Sequence, residues 1–215
     1  MAHDSPVLMD GSHDAPLRLL LAHGAGAPMD SPFMASIASE LAQRGWQVLR
    51  FEFPYMAKRR LTGRGSAPDR LPRLQEAFRE QALAAASGAP LLIGGKSMGG
   101  RIASLLADEL AQSANVRGCI CLGYPFHPPG QPQKLRTAHL ESITTPTLVI
   151  QGERDSFGKR SEVETYALST AIQLEWMPSG DHSFKPTVAS GRSEAENLAL
   201  AAAVVDRFGR ERVLR

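Results

Sequence analysis

Along most of this chain, short apolar runs alternate with longer stretches in which apolar residues recur three and four positions apart. That pattern predicts strands and helices in turn. Leu17–Ala22 is the first strand candidate, and Pro32, just after Asp30 and Ser31, predicts a helix that runs to about Arg44 and ends at Gly45. Gln47–Phe53 reads as the next strand, stopped by Pro54. There follow a helix over about Leu71–Ser87, a strand at Leu91–Gly94, a helix from Gly99 to about Gln112 and a strand at Val116–Leu122. Tyr124–Gln133 holds Pro125, Pro128, Pro129 and Pro132 and is predicted to be loop. Strands at Thr147–Gln151 and Ile172–Met177 flank a helix over Arg160–Leu168, and the Ala-rich amphipathic stretch Glu194–Phe208 closes the chain. Residues 1–16 are polar and punctuated by Pro and Gly, as expected of a tail or a short edge strand.

This alternation predicts an α/β fold: one domain over residues 17–215, a mostly parallel sheet with helices on both faces. No inserted stretch is long enough for a cap domain. In such sheets the functional loops lie beyond the carboxyl ends of the strands. The candidate chemistry falls on those loops. Gly95-Lys96-Ser97-Met98-Gly99 stands between a predicted strand and a predicted helix, the context a nucleophile elbow requires. A serine on so sharp a turn is backbone-strained, and side chains two positions either side would collide with strand or helix.

Serine at its ordinary pKa is a poor nucleophile, so a base must take its proton and a carboxylate must orient that base. His182 follows the last predicted strand, in Gly180-Asp181-His182-Ser183-Phe184. Three carboxylates compete to orient it. Asp155 follows the strand Thr147–Gln151, Glu153 lies nearer the end of that strand, and Asp181 abuts the histidine. The chain order Ser…Asp…His is that of α/β-hydrolases and favours Asp155. The His23-Gly24-Ala25-Gly26-Ala27 loop, after the first strand, is small enough for backbone N–H groups to approach a substrate carbonyl. Ala25 N–H and Met98 N–H are the expected oxyanion donors. Pocket candidates at the loop mouths are His23, Gly24, Tyr55, Tyr124 and Phe157, although a histidine in the position of His23 more often holds its own loop. His127 reads as a surface residue of the proline-rich loop, and His3, His13 and His139 as exposed.

Composition narrows the picture by exclusion. The chain has 215 residues, 43% hydrophobic and 21% charged, with a net charge of +2, which gives no global case for nucleic acid or a membrane surface. No run is long enough for a membrane span, and the N-terminus lacks a basic, then apolar leader, so the expected location is cytoplasmic. Cys119 and Cys121 lie two apart in an apolar run and are expected to be reduced core residues. No cofactor or metal is expected: the histidines lack ligand spacing, and Gly94-Gly95-Lys96-Ser97 lacks the upstream glycine of a phosphate loop. Lys58, Arg59, Arg60, Arg64, Arg70 and Arg73 crowd one segment against Asp69. They read either as a solvated face or as a field that gathers an anion or an acidic partner.

Taken with Phe53-Pro54-Tyr55-Met56 and Gly100-Arg101, the elbow, the His23–Ala27 loop and the His182 loop resemble the compact α/β-hydrolase-like family, over roughly Leu17 to Phe208. That group includes bacterial dienelactone-hydrolase-like proteins and the hydrolase-like domain of an animal chromatin-complex subunit. The resemblance implies a minimal α/β-hydrolase without a lid and Ser97, Asp155 and His182 as its triad. It implies no particular substrate. The dienelactone hydrolases proper use a cysteine nucleophile, where this chain has serine. The expected activity is hydrolysis of a small-molecule carboxylic ester or thioester through an acyl-enzyme on Ser97. The alternative is a binding or scaffold protein that keeps the fold and does little chemistry, with a protein partner that the sequence does not indicate.

Overall fold

Strand residues of alternating direction sort this chain into two cores. In the computed structural model, which describes residues 7–86 and 90–213, seven strands form one sheet. They are β1 (Val7–Asp10), β2 (Leu17–Ala22), β3 (Trp46–Phe51), β4 (Leu91–Lys96), β5 (Val116–Leu122), β6 (Thr147–Gly152) and β7 (Ile172–Met177). Their spatial order is β1-β3-β2-β4-β5-β6-β7. All neighbouring pairs are parallel except β1 with β3, where Val7 lies opposite Phe51. Because side chains alternate across a strand, Leu20, Ile93, Cys119 and Cys121 face one core and Leu19, Leu21, Leu92, Ile120 and Leu122 the other. Both cysteines are buried and free.

Helices α2 (Pro54–Thr62), α3 (Leu71–Ala85) and α4 (Met98–Ser113) cover the first face with Met56, Phe78 and Leu106. Helices α1 (Pro32–Gln43) and α6 (Glu194–Val213) cover the second with Ile37, Leu41, Val205 and Phe208. A fully buried side chain of this size contributes about 1.5–3 kcal/mol, so the two layers hold the sheet without crosslinks. The chain runs outward from β2 to β3 and then returns to β4 on β2's other side. The gap between the carboxyl ends of β2 and β4 is therefore the switch point at which open α/β sheets bind ligands.

Three sequence expectations are corrected. Pro54, read only as a strand stop, is also the first residue of α2, where its fixed φ and missing N–H are no handicap. The helix expected over Arg160–Leu168 shrinks to one turn, α5 (Arg160–Val163). Beyond it the Thr165 backbone and hydroxyl both donate to the Glu162 carbonyl, and Ser169 N donates to Leu140 O, so the chain turns away. His127 and His139 are not surface residues: His127 is buried, and His139 is half-buried with its Nε2 2.9 Å from the Ser104 hydroxyl. Residues 1–6 of the expected tail, His3 among them, and Ser87, the expected end of the third helix, lie outside the described residues.

Candidate active site

Ser97 joins β4 to α4 with φ 51° and ψ −112°, a conformation that a non-glycine residue adopts only at a cost. The turn is pinned on both sides: Ser97 N donates to Leu122 O at 2.9 Å, and Ser97 O accepts from Arg101 N at 3.0 Å. The flanking glycines are required by contact. A Cβ on Gly95 would lie 2.5 Å from the Gly99 carbonyl carbon, and one on Gly99 would lie 2.6 Å from Ala22 O. The elbow thus forms because β2, β4 and α4 approach too closely for side chains.

Ser97 Oγ lies 2.9 Å from His182 Nε2, and His182 Nδ1 lies 2.7 Å from Asp155 Oδ2. The network assigns the proton on Nδ1 to the carboxylate and leaves Nε2 to accept from the serine. Asp155 is fully buried and held on every side. Its Oδ1 accepts from Phe157 N at 2.8 Å, and its Oδ2 also accepts from Gln151 Nε2 at 2.9 Å. The rival carboxylates are engaged elsewhere. Glu153 accepts from Ser179 N and pairs with Arg160, while Asp181 Oδ1 accepts from Ser183 N and Lys185 N. The Phe157 ring lies against the imidazole, with centroids 4.2 Å apart.

Two supports escaped the sequence reading. Lys96 is buried, and its Nζ donates to the His182 carbonyl at 2.5 Å. Burial pulls its pKa down to about 8, opposed by the charges of Asp155 and Asp181. Gln151, at the end of β6, donates to Asp155, Tyr124 O and Gly158 O and accepts from Tyr124 N at 2.7 Å. A buried polar residue at a strand end was the signal for both. In the sequence Gln151 reads only as the end of its strand, and Lys96 as part of the elbow and of a phosphate-loop look-alike.

Ser97, Ala25, Met98 and Phe157 line one cleft of about 400 Å³, together with Leu71, Leu74, Arg101, Ile102, Pro125 and Arg136 among others. Met98 opens α4, where first-turn N–H groups have no intrahelical acceptor. His23, Gly24, Tyr55 and Tyr124 do not line this cleft; they stand behind it. The reason is hydrogen bonding. His23 donates from Nδ1 to Gly24 O and accepts from Phe53 N at Nε2, and burial lowers its pKa, which keeps it neutral. Tyr55 Oη donates to Ala25 O at 2.9 Å, so these side chains hold the loop that carries Ala25. Surface depressions of about 530 and 580 Å³ elsewhere contain no nucleophile–base pair.

Two cations of the basic segment are answered from within. Arg60 forks onto Glu52, which is buried, and onto Asp30, while Arg73 lies 3.8 Å from Asp69. Among the described residues no group of three or more His, Cys, Asp or Glu side chains could hold a metal ion, and no helix is long and apolar enough to cross a membrane.

A lidless, mostly parallel sheet with a serine elbow over a histidine defines a hydrolase of the α/β class. The chain belongs to the alpha/beta hydrolase domain family, whose model matches residues 15–210. Solved structures share the fold. An α/β serine hydrolase without lid from Xanthomonas campestris is 21% identical with a TM-score of 0.68, covering 94% of this chain and 88% of its own. A dienelactone hydrolase from Anabaena variabilis is 21% identical with a TM-score of 0.70, covering 96% and 91%. Est1E from Butyrivibrio proteoclasticus, solved with ferulic acid bound, is 14% identical with a TM-score of 0.70, covering 98% and 96%.

Proposed function

We propose that this protein hydrolyses a small carboxylic ester or thioester through an acyl-enzyme on Ser97. The observation that carries the reading is the continuous hydrogen-bond chain from Ser97 Oγ through His182 to Asp155, at 2.9 and 2.7 Å. His182 Nε2 takes the hydroxyl proton as Oγ attacks the carbonyl carbon. The imidazolium then returns that proton to the leaving alcohol or thiol as its bond to the acyl carbon breaks. Water, deprotonated by the same nitrogen, releases the acid and restores the serine. Asp155, fixed by Phe157 N and Gln151, holds the imidazole tautomer and stabilises its charged form. Base assistance of this kind contributes roughly 10² to 10⁴ in rate. The backbone N–H groups of Met98 and Ala25 are the donors for the oxyanion, each worth roughly 10² to 10³.

A fluorophosphonate probe tests the reading. It should label the wild-type protein at Ser97, label Ser97→Ala not at all, and label His182→Ala far more slowly. Labelling that survives Ser97→Ala, or folded wild-type protein that never reacts, would sink it.

A further inference from the structure

Two arginines on the wall of the Ser97 cleft have no ion-pair partner among the described residues. Arg101 lies in the first turn of α4, its N–H donating to Ser97 O at 3.0 Å, and lines the cleft beside Ser97. Its Nε is sealed from solvent and has no hydrogen-bond partner among the described residues. Arg136 faces the same cleft from the loop after β5. Its main chain is anchored, since Arg136 N donates to Phe126 O and Arg136 O accepts from the Tyr124 hydroxyl, both at 2.8 Å. Burial and then the Arg101 charge lower its pKa, so the two guanidiniums sense one another as like charges. Among the described residues that line the cleft the carboxylate is Asp69, which is committed to Tyr55 N at 2.9 Å and to Arg73.

Half-buried like charges without an acceptor are unfavourable in the empty protein. They become favourable once an anion enters, and guanidinium forks match a carboxylate well. We infer that the cleft recognises an ester or thioester bearing a free carboxylate a few bonds from the scissile carbonyl, held by Arg101 and Arg136. The inference rests on the acyl-hydrolase reading of Ser97 and adds to it a substrate class. Arg101 N donates to Ser97 O at 3.0 Å, so the guanidinium stem and the serine start from neighbouring points on one cleft wall, which suits short chains.

The experiment compares esters that differ only in the charge. Ethyl hydrogen glutarate is set against ethyl valerate, with the carboxylate on the acyl side. Acetoxyacetate is set against ethyl acetate, with the carboxylate on the alcohol side. Proton release at constant pH is the readout, and probe labelling of Ser97 is followed in parallel. At least one charged member should exceed its neutral partner in kcat/KM, and which pair responds tells the side that carries the charge. Arg101→Gln and Arg136→Gln should each cut that ratio by roughly 10- to 100-fold, the scale of a hydrogen bond to a charged group. Glutarate should slow labelling of the wild-type protein and lose that effect in both variants. Ser97 that labels while neither pair shows a preference for the charged ester would overturn the inference alone. So would a preference that survives both substitutions. Failure of Ser97 to label would overturn the nucleophile and the inference together.

Discussion

Arg60 and the pair Arg101 and Arg136 are the same side chain in two opposite situations. Arg60 is 39% exposed, yet it forks onto two carboxylates, one of them the fully buried Glu52. Arg101 and Arg136 are less exposed and have no carboxylate partner among the described residues. A basic residue that satisfies its own fold is architecture, and one that the fold leaves unsatisfied beside a nucleophile is an offer to something outside. Local charge density alone does not tell the two apart, because the crowded segment from Lys58 to Arg73 contains an arginine that the protein itself answers.

Three outcomes would sharpen or break this contrast. Arg60→Met leaves the Glu52 carboxylate buried without its partner. It should cost about 2–3 kcal/mol in urea unfolding, less than the ~3–5 kcal/mol of a fully buried pair because Arg60 is part-exposed. His139 gives the next effect. Burial first, and the Arg101 charge second, lower its pKa to about 4, whereas in the unfolded chain it titrates near 6.5. The unfolded state therefore binds the proton first, and the stability that the neutral imidazole contributes above pH 6.5 is lost as pH falls towards 4. In Arg101→Gln the His139 titration, followed by NMR, should move upward and the acid loss should shrink. An unmoved titration would mean that some partner already neutralises Arg101. The smallest effect belongs to stability in Arg101→Gln and Arg136→Gln, which should stay within about 0.5–1 kcal/mol of wild type because no ion pair is broken. A loss as large as that of Arg60→Met would make all three arginines structural.

Much of this was legible in the sequence because the signals were local. The apolar runs located β2 to β7 to within a few residues, and the strand–glycine–serine–glycine–helix pattern located the elbow. The order of Ser97, Asp155 and His182 picked from three carboxylates the one that lies 2.7 Å from the imidazole. What stayed hidden depends on distant partners. Pro54 signals a strand end and a helix start equally well, so α2 was missed. The neighbours that pair Arg60 lie 8 and 30 residues away, and Arg136 has none among the described residues. His23 and Tyr55 sit where pocket residues should, but they are drawn inward by Gly24 O, Phe53 N and Ala25 O.

Gln151 makes no contact with the nucleophile, yet it binds two loops into one body. Through Tyr124 N and O it grips the turn after β5, and through Asp155 and Gly158 it grips the turn after β6. Tyr124 in turn holds the Arg136 carbonyl. The Arg136 main chain on the cleft wall and the carboxylate beside His182 therefore hang from one continuous hydrogen-bond network. One glutamine thus lets two separate strand-end turns share a single anchor, and the cleft wall and the His182–Asp155 pair are parts of the same brace.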